Sequence, residues 1–423
     1  MKKVSFITLG CKVNQYESNG MAQKLMGKYE IVDQDQIADI YIVNTCSVTN
    51  IADRKSRQAL RRCKEHNKDA LVIAVGCYVD TGKDDLEKIE EVDLLLNNYQ
   101  KRDIDKYIES YYEGKKLDDK QIESYFYDFG DVTYTEKTRA TIKVQDGCNS
   151  FCSYCIIPYA RGRICSREPK SVISEIEKIA QNGIKEVVIN GIQISSYGTD
   201  FENDYRLIDL LEDINNISGI ERIRLGSLSP TLITDDFCNR LKKVDKICHH
   251  FHLSLQSGCD KTLKMMNRKY TTSDFDKVVQ RLRNLYSDVI LTTDIIVGFP
   301  DETDEDFEIT YEYLKKIKFY KMHVFKYSPR RGTVASQMKN QVPGDVKEKR
   351  SRRLLELSSE NEKEYLKLYV GKTVKVLFEE REGEYLKGHT ANYILVKASM
   401  DDSNINKICD VEIKDFEEEC LKD

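Results

Sequence analysis

The sequence has none of the segments that direct a chain into a membrane or out of the cell. No stretch approaches the roughly 18 consecutive apolar residues that a membrane-spanning helix requires. The first residues, MKKVSFITLG, contain a short apolar run but no small-residue cleavage site. Tryptophan is absent too, which excludes nothing. These absences favour a cytoplasmic protein.

The sequence also lacks the pattern of a disulfide framework, which is an even number of cysteines in a short chain. The chain has 13 cysteines, an odd number, and they are spread over 423 residues. Disulfide frameworks are typical of short secreted chains with even numbers of cysteines. We therefore expect metal ligands or free thiols. The length also exceeds one ordinary hydrophobic core, so two or three domains are expected.

The first hundred residues alternate apolar runs with helix-length polar segments. The runs are VSFITLG, IADIYIVNT and ALVIAVG, and segments such as YESNGMAQKLMGKY separate them. Continuous runs rich in β-branched residues are typical of buried parallel strands. Residues 1–115 are therefore predicted to form an N-terminal domain with an open parallel α/β sheet.

A cysteine follows each of these three runs: Cys11, Cys46 and Cys77. The carboxyl ends of parallel strands form the binding crevice of an open α/β sheet, so the three thiols are candidates for one shared site. The alternative is three buried structural thiols, because free cysteine is among the most buried residue types.

A second alternating region follows residues 100–135, a polar, charged and aromatic segment that is expected to be a linker with some helix. Six strand-like runs lie between residues 134 and 365, separated by helical stretches such as PKSVISEIEKIAQNG. The runs are ATIKVQ, KEVVING, ERIRLGS, HFHLSL, VILTTDIIVG and KMHVFKY. This α/β pattern predicts a central partial (β/α)6 barrel with its chemistry at the carboxyl ends of the strands.

The last segment, residues 367–423, changes to short strands and turns. KTVKVLFEE, EGEYLKGHTANYILVKA and KICDVEIKDF are typical of a small C-terminal β-barrel. Small barrels of this kind often bind RNA, although many only mediate contacts.

The segment CNSFCSYC holds Cys148, Cys152 and Cys155 directly after the first barrel strand. A structural zinc site takes four ligands, usually as two CxxC-type pairs, and no fourth ligand follows closely here. Three thiolates on a four-iron cluster instead leave one iron with an open coordination position. A cluster with an open iron is therefore the favoured interpretation of the three cysteines.

The net charge of −5 conceals two basic segments. The first contains Arg54, Lys55, Arg57, Arg61, Arg62 and Lys64, and the second contains Lys347, Lys349, Arg350, Arg352 and Arg353. A charged run on a helix is usually a solvated face, and the alternative is a set of contacts to nucleic-acid phosphates.

Four motifs together carry a family resemblance. TLGCKVNQYES at residues 8–18, NTCSVT, VGCY, and CNSFCSYCIIPYARGR resemble the methylthiotransferase family of radical S-adenosylmethionine enzymes, whose C-terminal barrel is called TRAM. The first motif is similar to that of the subgroup that modifies N6-threonylcarbamoyladenosine in tRNA. Relatives acting on isopentenyladenosine show GCQMN with an Asp-Ser pair, and those acting on a ribosomal protein aspartate show GCxKN followed by Val-Asp-Ser. Lys12, Val13 and Glu17 differ from both patterns.

The resemblance implies two [4Fe-4S] clusters. Cys148, Cys152 and Cys155 would hold the cluster whose open iron chelates S-adenosylmethionine, and Cys11, Cys46 and Cys77 would hold an auxiliary cluster. A 5′-deoxyadenosyl radical would abstract hydrogen from C2 of adenine, and methylated sulfur would be delivered from the auxiliary cluster. Two S-adenosylmethionine molecules would be consumed per turnover, because the second supplies the methyl group.

The implied partners are tRNA with a threonylcarbamoyl group on adenosine 37 and an electron donor such as flavodoxin or ferredoxin. No membrane is implied, and a monomer is expected. A relative acting on isopentenyladenosine-37 or on a ribosomal protein aspartate is the alternative within the family. Outside it, the alternative is a non-catalytic, metal-containing RNA-binding protein.

Further candidates lie where a barrel would place cofactor contacts. For S-adenosylmethionine they are Asn190, Gly191, Ser254, Gln256 and Gly298, although the glycines are equally typical of tight turns. For tRNA phosphate or the threonylcarbamoyl carboxylate they are Arg330 and Arg331, for which a solvated loop is the simpler interpretation. One position departs from the family pattern: Ser229, in SLSP, stands where relatives commonly have an acidic residue in SLEP.

Overall fold

The computed structural model describes residues 1–115, 117, 128–134 and 138–423. The expected linker, residues 100–135, lies partly outside these ranges. Its described portion contains the helix Ile104–Tyr112, whose buried Ile104 and Ile108 pack in the N-terminal core. At this point the sequence pattern of a linker corresponds to a helix of the first domain.

The N-terminal domain contains the predicted parallel sheet. Its strands are β1 (Lys3–Thr8), β2 (Glu30–Val32), β3 (Ile40–Thr45), β4 (Leu71–Gly76) and β5 (Leu94–Leu96). They are all parallel, in the order β2-β1-β3-β4-β5. Every residue of β3 and β4 is buried, as expected for central strands covered on both faces. The short edge strands β2 and β5 were not apparent in the sequence, because three residues carry too little pattern.

Within the described residues, four helices flank this sheet. They are α1 (Lys12–Leu25), α2 (Asn50–His66), α3 (Cys77–Leu86) and α4 (Ile104–Tyr112). Helix α2 begins at a Thr49 cap, whose hydroxyl accepts a 3.1 Å hydrogen bond from the Ala52 amide. This cap satisfies one of the amides left unpaired at a helix start. Helices α1, α2 and α3 each begin within a few residues of a cysteine that follows a strand.

The central domain contains the six expected parallel strands. They are β6 (Arg139–Asp146), β8 (Glu186–Gly191), β9 (Arg222–Leu225), β10 (His250–Gln256), β11 (Ile290–Val297) and β12 (Lys321–Lys326), with a short antiparallel β7 (Cys165–Ser166) beside β6. The strands form two ladders, β7-β6-β8-β9 and β10-β11-β12. Two parallel bridges, Ile223 to Ile247 and Leu228 to Leu253, join the ladders. The result is the predicted partial barrel.

Eight helices accompany these strands in the part of the domain that the structure describes. They are α5 (Ile157–Arg161), α6 (Pro169–Gln181), α7 (Leu207–Asn215), α8 (Asp235–Leu241), α9 (Asp260–Met265), α10 (Thr272–Leu285), α11 (Asp304–Ile317) and α12 (Gly344–Lys367). Alternate strand residues such as Ile142, Val187 and Leu253 form the core. Because side chains alternate along a strand, the intervening residues point to the barrel interior, and many of them are polar, such as Lys143 and Glu186.

The C-terminal domain follows α12 directly. Its strands are β13 (Thr373–Glu382), β14 (Tyr385–Thr390), β15 (Leu395–Ala398), β16 (Ile408–Glu412), β17 (Asp415–Glu417) and β18 (Cys420–Lys422). Strands β16 and β17 form opposite edges of one six-stranded sheet. Only two residues separate them in the chain, so the sheet must curl until its edges meet. This curled sheet is consistent with the expected small barrel.

None of the helices in the described ranges combines the length and apolar character that a bilayer span requires.

Candidate metal centres between two domains

The N-terminal cysteine trio lies at the carboxyl edge of three adjacent strands. Cys11 follows β1, Cys46 follows β3, and Cys77 follows β4 and begins α3. Cys46 is close enough to both other thiols for their negative charges to oppose its ionisation. The structure therefore brings together three residues that are up to 66 positions apart in the sequence.

Glycine allows the chain to pack tightly around this trio. Gly10 has a φ of +97°, and a Cβ atom placed on it would lie 2.7 Å from the Cys46 Sγ atom. Gly76 has a φ of +99°, and its Cβ would lie 2.9 Å from the Thr45 carbonyl oxygen. A larger residue is excluded at both positions, because the positive φ disfavours it and its Cβ would be too close to neighbouring atoms.

Two polar side chains reach Cys77 from neighbouring loops. Arg161, at the end of α5 in the barrel domain, donates a 3.2 Å hydrogen bond from Nε to the Cys77 Sγ atom. Asn98 donates from Nδ2 to the same sulfur at 3.7 Å and to the Ala160 carbonyl at 3.0 Å. The trio is thus on one domain, but an arginine of the other domain contacts one of its sulfur atoms.

The second trio is held in a tight loop after β6. The Cys155 amide donates to the Cys152 carbonyl at 3.0 Å, and the Cys148 amide donates to the Gly162 carbonyl at 3.1 Å. Phe151 lies in the left-handed region, with a φ of +45°, so the loop can turn between its first two cysteines. Cys155 is close enough to the other two thiols to be affected by their charges.

An arginine also contacts this second trio. Arg268 donates from Nη1 to the Cys152 Sγ atom at 3.2 Å and from Nη2 to the Ser254 carbonyl at 2.7 Å. Its Nε donates to the Tyr270 hydroxyl at 2.7 Å. Arg268 therefore connects the cysteine loop to the carboxyl end of β10.

The chemistry of both trios suits metal clusters. Burial raises the pKa of the Cys46 thiol to about 11 and that of the Cys155 thiol to about 12. These thiols are protonated at neutral pH without metal, and binding iron would displace their protons. Within the described residues, no three His, Cys, Asp or Glu side chains converge tightly enough to hold a single metal ion. A multi-iron cluster does not require such convergence, because each thiolate binds a different iron.

A cavity of about 220 Å³ extends between the domains. Val48 and Thr49, just after Cys46, form part of its wall, and Cys155 and Gln256 of the barrel form another part. Asp294, on β11, adds a carboxylate. The surroundings of both trios therefore meet at one cavity.

Comparisons with known proteins agree with this arrangement. The radical SAM superfamily model matches residues 142–314, and a model described as uncharacterized protein family UPF0004 matches residues 3–97. The threonylcarbamoyladenosine tRNA methylthiotransferase MtaB of Bacillus subtilis is 39% identical, covering 98% of this chain and 94% of its own length. This chain belongs to the methylthiotransferase family.

Two further relatives define the breadth of the similarity. The tRNA-2-methylthio-N(6)-dimethylallyladenosine synthase of Alkaliphilus oremlandii is 35% identical, covering 97% of this chain and 90% of its own length. The structure of the radical S-adenosylmethionine methyltransferase TsrM from Kitasatospora setae aligns with a TM-score of 0.60 at 14% identity. It covers 79% of this chain and 77% of that one, and it supports the fold alone.

A buried charge network joins the two cluster-bearing domains of this methylthiotransferase. Glu17, on α1, is 2% exposed and forms ion pairs with Lys101 at 2.5 Å, Lys143 at 2.9 Å and Arg161 at 2.8 Å. Burial opposes ionisation of Glu17, but Arg161, Lys101 and Lys143 outweigh it and hold its pKa well below the usual value. The arginine that contacts Cys77 is therefore fixed by a carboxylate of the cysteine-bearing domain.

The candidate substrate residues Arg330 and Arg331 occupy different environments. Arg330 is buried and pairs with Asp53 at 2.7 Å, while also donating to Asn50 and Ser47 at 2.8 Å each. It thus connects the barrel domain to the loop that follows Cys46. Arg331 is exposed and makes no ion pair within the described residues, so it is the one available to a ligand.

The five candidate S-adenosylmethionine residues also lie in different environments. Gln256 has a φ of +74° and lines the cavity, and the Ser254 carbonyl accepts from Arg268. Gly191 is confined, because a Cβ on it would lie 2.7 Å from the Gln145 carbonyl oxygen. Gly298 turns against α12, where a Cβ would lie 2.3 Å from Lys347, and its amide donates to Glu302. Asn190 is buried, and its side-chain oxygen, Oδ1, lies against Gly226.

Sequence reasoning did not assign Arg161, Arg268 or Asn98 to the site. Arg161 stands in the quoted YARGR segment, but a single arginine in a loop carries no spacing pattern. Arg268 lies 116 positions from Cys152, so only the fold reveals the contact. Ser229, at the departing SLSP position, bonds Thr231 and Ser195 and contacts neither trio.

Proposed function

We propose that this chain is a tRNA (N6-L-threonylcarbamoyladenosine(37)-C2)-methylthiotransferase, which replaces the hydrogen at C2 of the modified adenine with a methylthio group. The observation that carries the proposal is the pair of cysteine trios, on different domains, whose surroundings meet at one cavity. A non-catalytic RNA-binding protein would have no use for two such trios beside one cavity.

In this proposal the domains divide the work. Residues 1–115 hold the auxiliary [4Fe-4S] cluster through Cys11, Cys46 and Cys77. Residues 134–365 hold the second [4Fe-4S] cluster through Cys148, Cys152 and Cys155. Residues 367–423 form the RNA-binding TRAM domain. When bound, the clusters and S-adenosylmethionine supply a 5′-deoxyadenosyl radical, a sulfur atom and a methyl group.

The residues of the chain orient the reactants and exclude water. Val48, Ile296 and Tyr327 line the cavity, and of these Tyr327 is buried. Gln256 and Asp294 supply polar groups able to orient an adenine. Ser254, Gln256 and Asn190 remain candidates for S-adenosylmethionine contacts, together with Gly191 and Gly298.

The positive side chains of Arg161 and Arg268 each lie beside a cluster cysteine. A cation near a cluster stabilises its reduced, more negative state, and hydrogen bonds to cluster sulfur shift its potential in the same direction. The electron would come from a flavodoxin or ferredoxin. A monomer in the cytoplasm, where tRNA is available, completes the proposal.

The two basic segments differ as candidate tRNA contacts. On α2, Arg54, Lys55, Arg61 and Arg62 are exposed and make no ion pair within the described ranges. On α12, Arg350 pairs with Glu302 and Asp304, and Arg353 pairs with Glu308. We therefore assign the main phosphate contact to α2, which begins beside the cavity. Arg331 is a further candidate for phosphate.

Reconstituted protein tests the proposal directly. Anaerobic reconstitution should yield about eight irons per chain, four for each cluster. With S-adenosylmethionine and a reductant, a tRNA anticodon stem-loop carrying threonylcarbamoyladenosine should give the 2-methylthio nucleoside in a mass analysis. Methylthiolation of an isopentenyladenosine stem-loop or a ribosomal protein peptide instead would overturn the substrate assignment.

A further inference from the structure

The floor of the barrel carries an unusual concentration of positive charge around one tyrosine. Tyr393, in the C-terminal domain, has a φ of +72° and inserts its ring among side chains at the amino-terminal ends of the barrel strands. The guanidinium carbons of Arg224 and Arg139 lie 4.6 and 5.2 Å from the ring centre, and the Lys12 ammonium lies 5.9 Å from it. These residues, with Arg222, Glu186 and Glu379, are called the Tyr393 cluster below.

The cluster has more positive than negative charge. Lys12, Arg139, Arg222 and Arg224 contribute four positive charges, whereas Glu186 and Glu379 contribute two negative charges, so two positive charges are uncompensated. Burial raises the pKa of the Tyr393 phenol, yet Arg139, Lys12 and Arg224 together lower it below its usual value. The site therefore favours a bound anion.

The three arginines of the cluster are already occupied. Arg139 donates to Glu379 at 2.8 Å, and Arg224 donates to Glu186 at 2.7 Å. Arg222 donates to the carbonyls of His389 at 3.0 Å and Lys375 at 2.9 Å. Each guanidinium is thus held by the framework of the barrel and the C-terminal sheet.

Lys12 differs, because its ammonium forms no hydrogen bond and no ion pair within the part of the chain that the structure describes. It is exposed, whereas the cluster members around it, Arg224 and Glu186, are almost fully buried. The Lys12 ammonium lies 5.9 Å from the centre of the Tyr393 ring, at the edge of this buried group of charges. It is therefore a cation that a small anionic ligand can reach.

The position of Lys12 in the chain connects the Tyr393 cluster to the cysteine trio of the N-terminal domain. Lys12 is the first residue of α1 and directly follows Cys11 of the N-terminal trio. A base placed with C2 toward that trio carries its N6 substituent on another side of the ring. The threonylcarbamoyl group ends in a carboxylate, the only negative charge on the modified base, and a lysine provides a compact charge for it.

We infer that Lys12 binds the carboxylate of the threonylcarbamoyl group within the barrel, and that the surplus positive charge of the Tyr393 cluster favours this anion. The inference rests on the proposed function and deepens it, because it names the residue that distinguishes this substrate from an adenine with a neutral N6 substituent. Neither Arg330, which is paired, nor the phosphate contacts of α2 would make that distinction.

The test uses the reconstituted full-length protein without reductant, so that binding is measured apart from turnover. Three anticodon stem-loops are compared by fluorescence anisotropy: one with threonylcarbamoyladenosine, one with its carboxyl methyl ester and one with unmodified adenosine. The wild type should bind the acid at least tenfold more tightly than the ester. In Lys12→Met the ratio of affinities for the acid and the ester should fall close to one, while the affinity for the ester should equal that of the wild type. Lys12→Arg, which keeps the charge, should retain part of the ratio.

Matched measurements separate the alternatives. Lys55→Met, on the exposed face of α2, should weaken the acid and the ester equally. If Lys12→Met also weakens binding of the acid and the ester equally, Lys12 is a phosphate contact and the inference is wrong. The inference is also wrong if the variant keeps the acid-to-ester affinity ratio of the wild type. If the wild type shows no preference for threonylcarbamoyladenosine over adenosine in binding or turnover, the proposed function itself fails. Iron content and thermal unfolding establish that each variant is folded.

Discussion

Cys148, Cys152 and Cys155 come from eight consecutive residues, whereas Cys11, Cys46 and Cys77 come from three loops after three separate strands. An arginine approaches one sulfur of each trio at the same distance, 3.2 Å. Arg268 belongs to the same domain as the cysteine that it contacts, but Arg161 comes from the opposite domain. The compact trio thus needs one loop and one domain, while the dispersed trio also needs correct packing between domains.

The largest expected effect comes from removing one cysteine of either trio. Cys152→Ala should abolish reductive cleavage of S-adenosylmethionine, because the cluster that binds it is lost. Cys46→Ala should leave cleavage at least partly intact while abolishing methylthio transfer. Each variant should retain about four irons per chain. Assays of 5′-deoxyadenosine and of modified nucleoside measure the two activities, and equal loss of both in folded variants would contradict the comparison.

The next effect concerns the packing between domains. In Glu17→Gln the buried Lys101 loses its ion pair, while Lys143 and Arg161 keep their ion pairs with Asp146; the change should cost about 3–5 kcal/mol in the free energy of unfolding. Chemical denaturation measures this loss. Glu109→Gln, which breaks the exposed pair with Lys28, is the matched control and should have a much smaller effect. Comparable losses in the two variants would show that the interdomain network is not needed.

The same carboxylate predicts a pH dependence. The folded-state pKa of Glu17 lies below its unfolded value, so its stabilising contribution is fully present above the unfolded pKa of about 4.3. The contribution is lost as the pH falls through the lower folded pKa. Denaturation curves of wild type and Glu17→Gln, compared at pH 7 and at several pH values below about 4.3, should therefore converge as the pH decreases. A constant difference between them would contradict the assignment.

A smaller effect is expected from the two arginines. Arg161→Met should reduce methylthio transfer about 10- to 100-fold and spare cofactor cleavage, whereas Arg268→Met should reduce cleavage by a similar factor. In each variant the midpoint potential of the adjacent cluster should become more negative, because a stabilising cation is gone. Redox titration followed by electron paramagnetic resonance measures this, and Arg→Lys variants keep the charge as controls. A shift in the distant cluster instead would contradict the pairing.

The smallest effect concerns the surface beside each trio. Neutralising Arg61 and Arg62 on α2, beside the dispersed trio, should weaken tRNA binding and reduce the slope of log affinity against log salt by roughly 0.7–0.9 per contact. Neutralising Lys349 and Arg352 on α12, in the barrel domain, should change the slope less. Binding titrations at several salt concentrations measure both slopes. A larger change of slope for the α12 variant than for the α2 variant would place the tRNA interface on α12 instead.

Much of the fold could be predicted because its signals are local. Runs such as LVIAVG are buried on both faces in β4, and the alternating units of residues 134–365 form the six parallel strands as expected. The edge strands β2 and β5 could not be predicted from three residues each. The described part of the expected linker contained α4, because its isoleucines pack in the N-terminal core.

The cysteines of the site were predictable because they show either a fixed spacing in the sequence or the same position after successive strands. The cysteines of CNSFCSYC have the spacing CxxxCxxC, and Cys11, Cys46 and Cys77 each follow a strand. Arg268 and Glu17 have neither, because their partners are distant in the chain and are chosen by the fold. The sequence also could not distinguish Arg330 from Arg331, which are adjacent but lie in different environments.

By itself the sequence determined the α/β architecture, the compact cysteine motif and the family, because these depend on periodicity, spacing and short motifs. The tertiary structure alone decided that an arginine of one domain contacts a cysteine of the other, and that Lys12 faces an unneutralised positive site in the barrel. The physical reason is that a buried charge is tolerable only with partners at close range. Those partners come from elements that folding brings together, over 84 residues for Arg161 and Cys77 and 144 residues for Arg161 and Glu17.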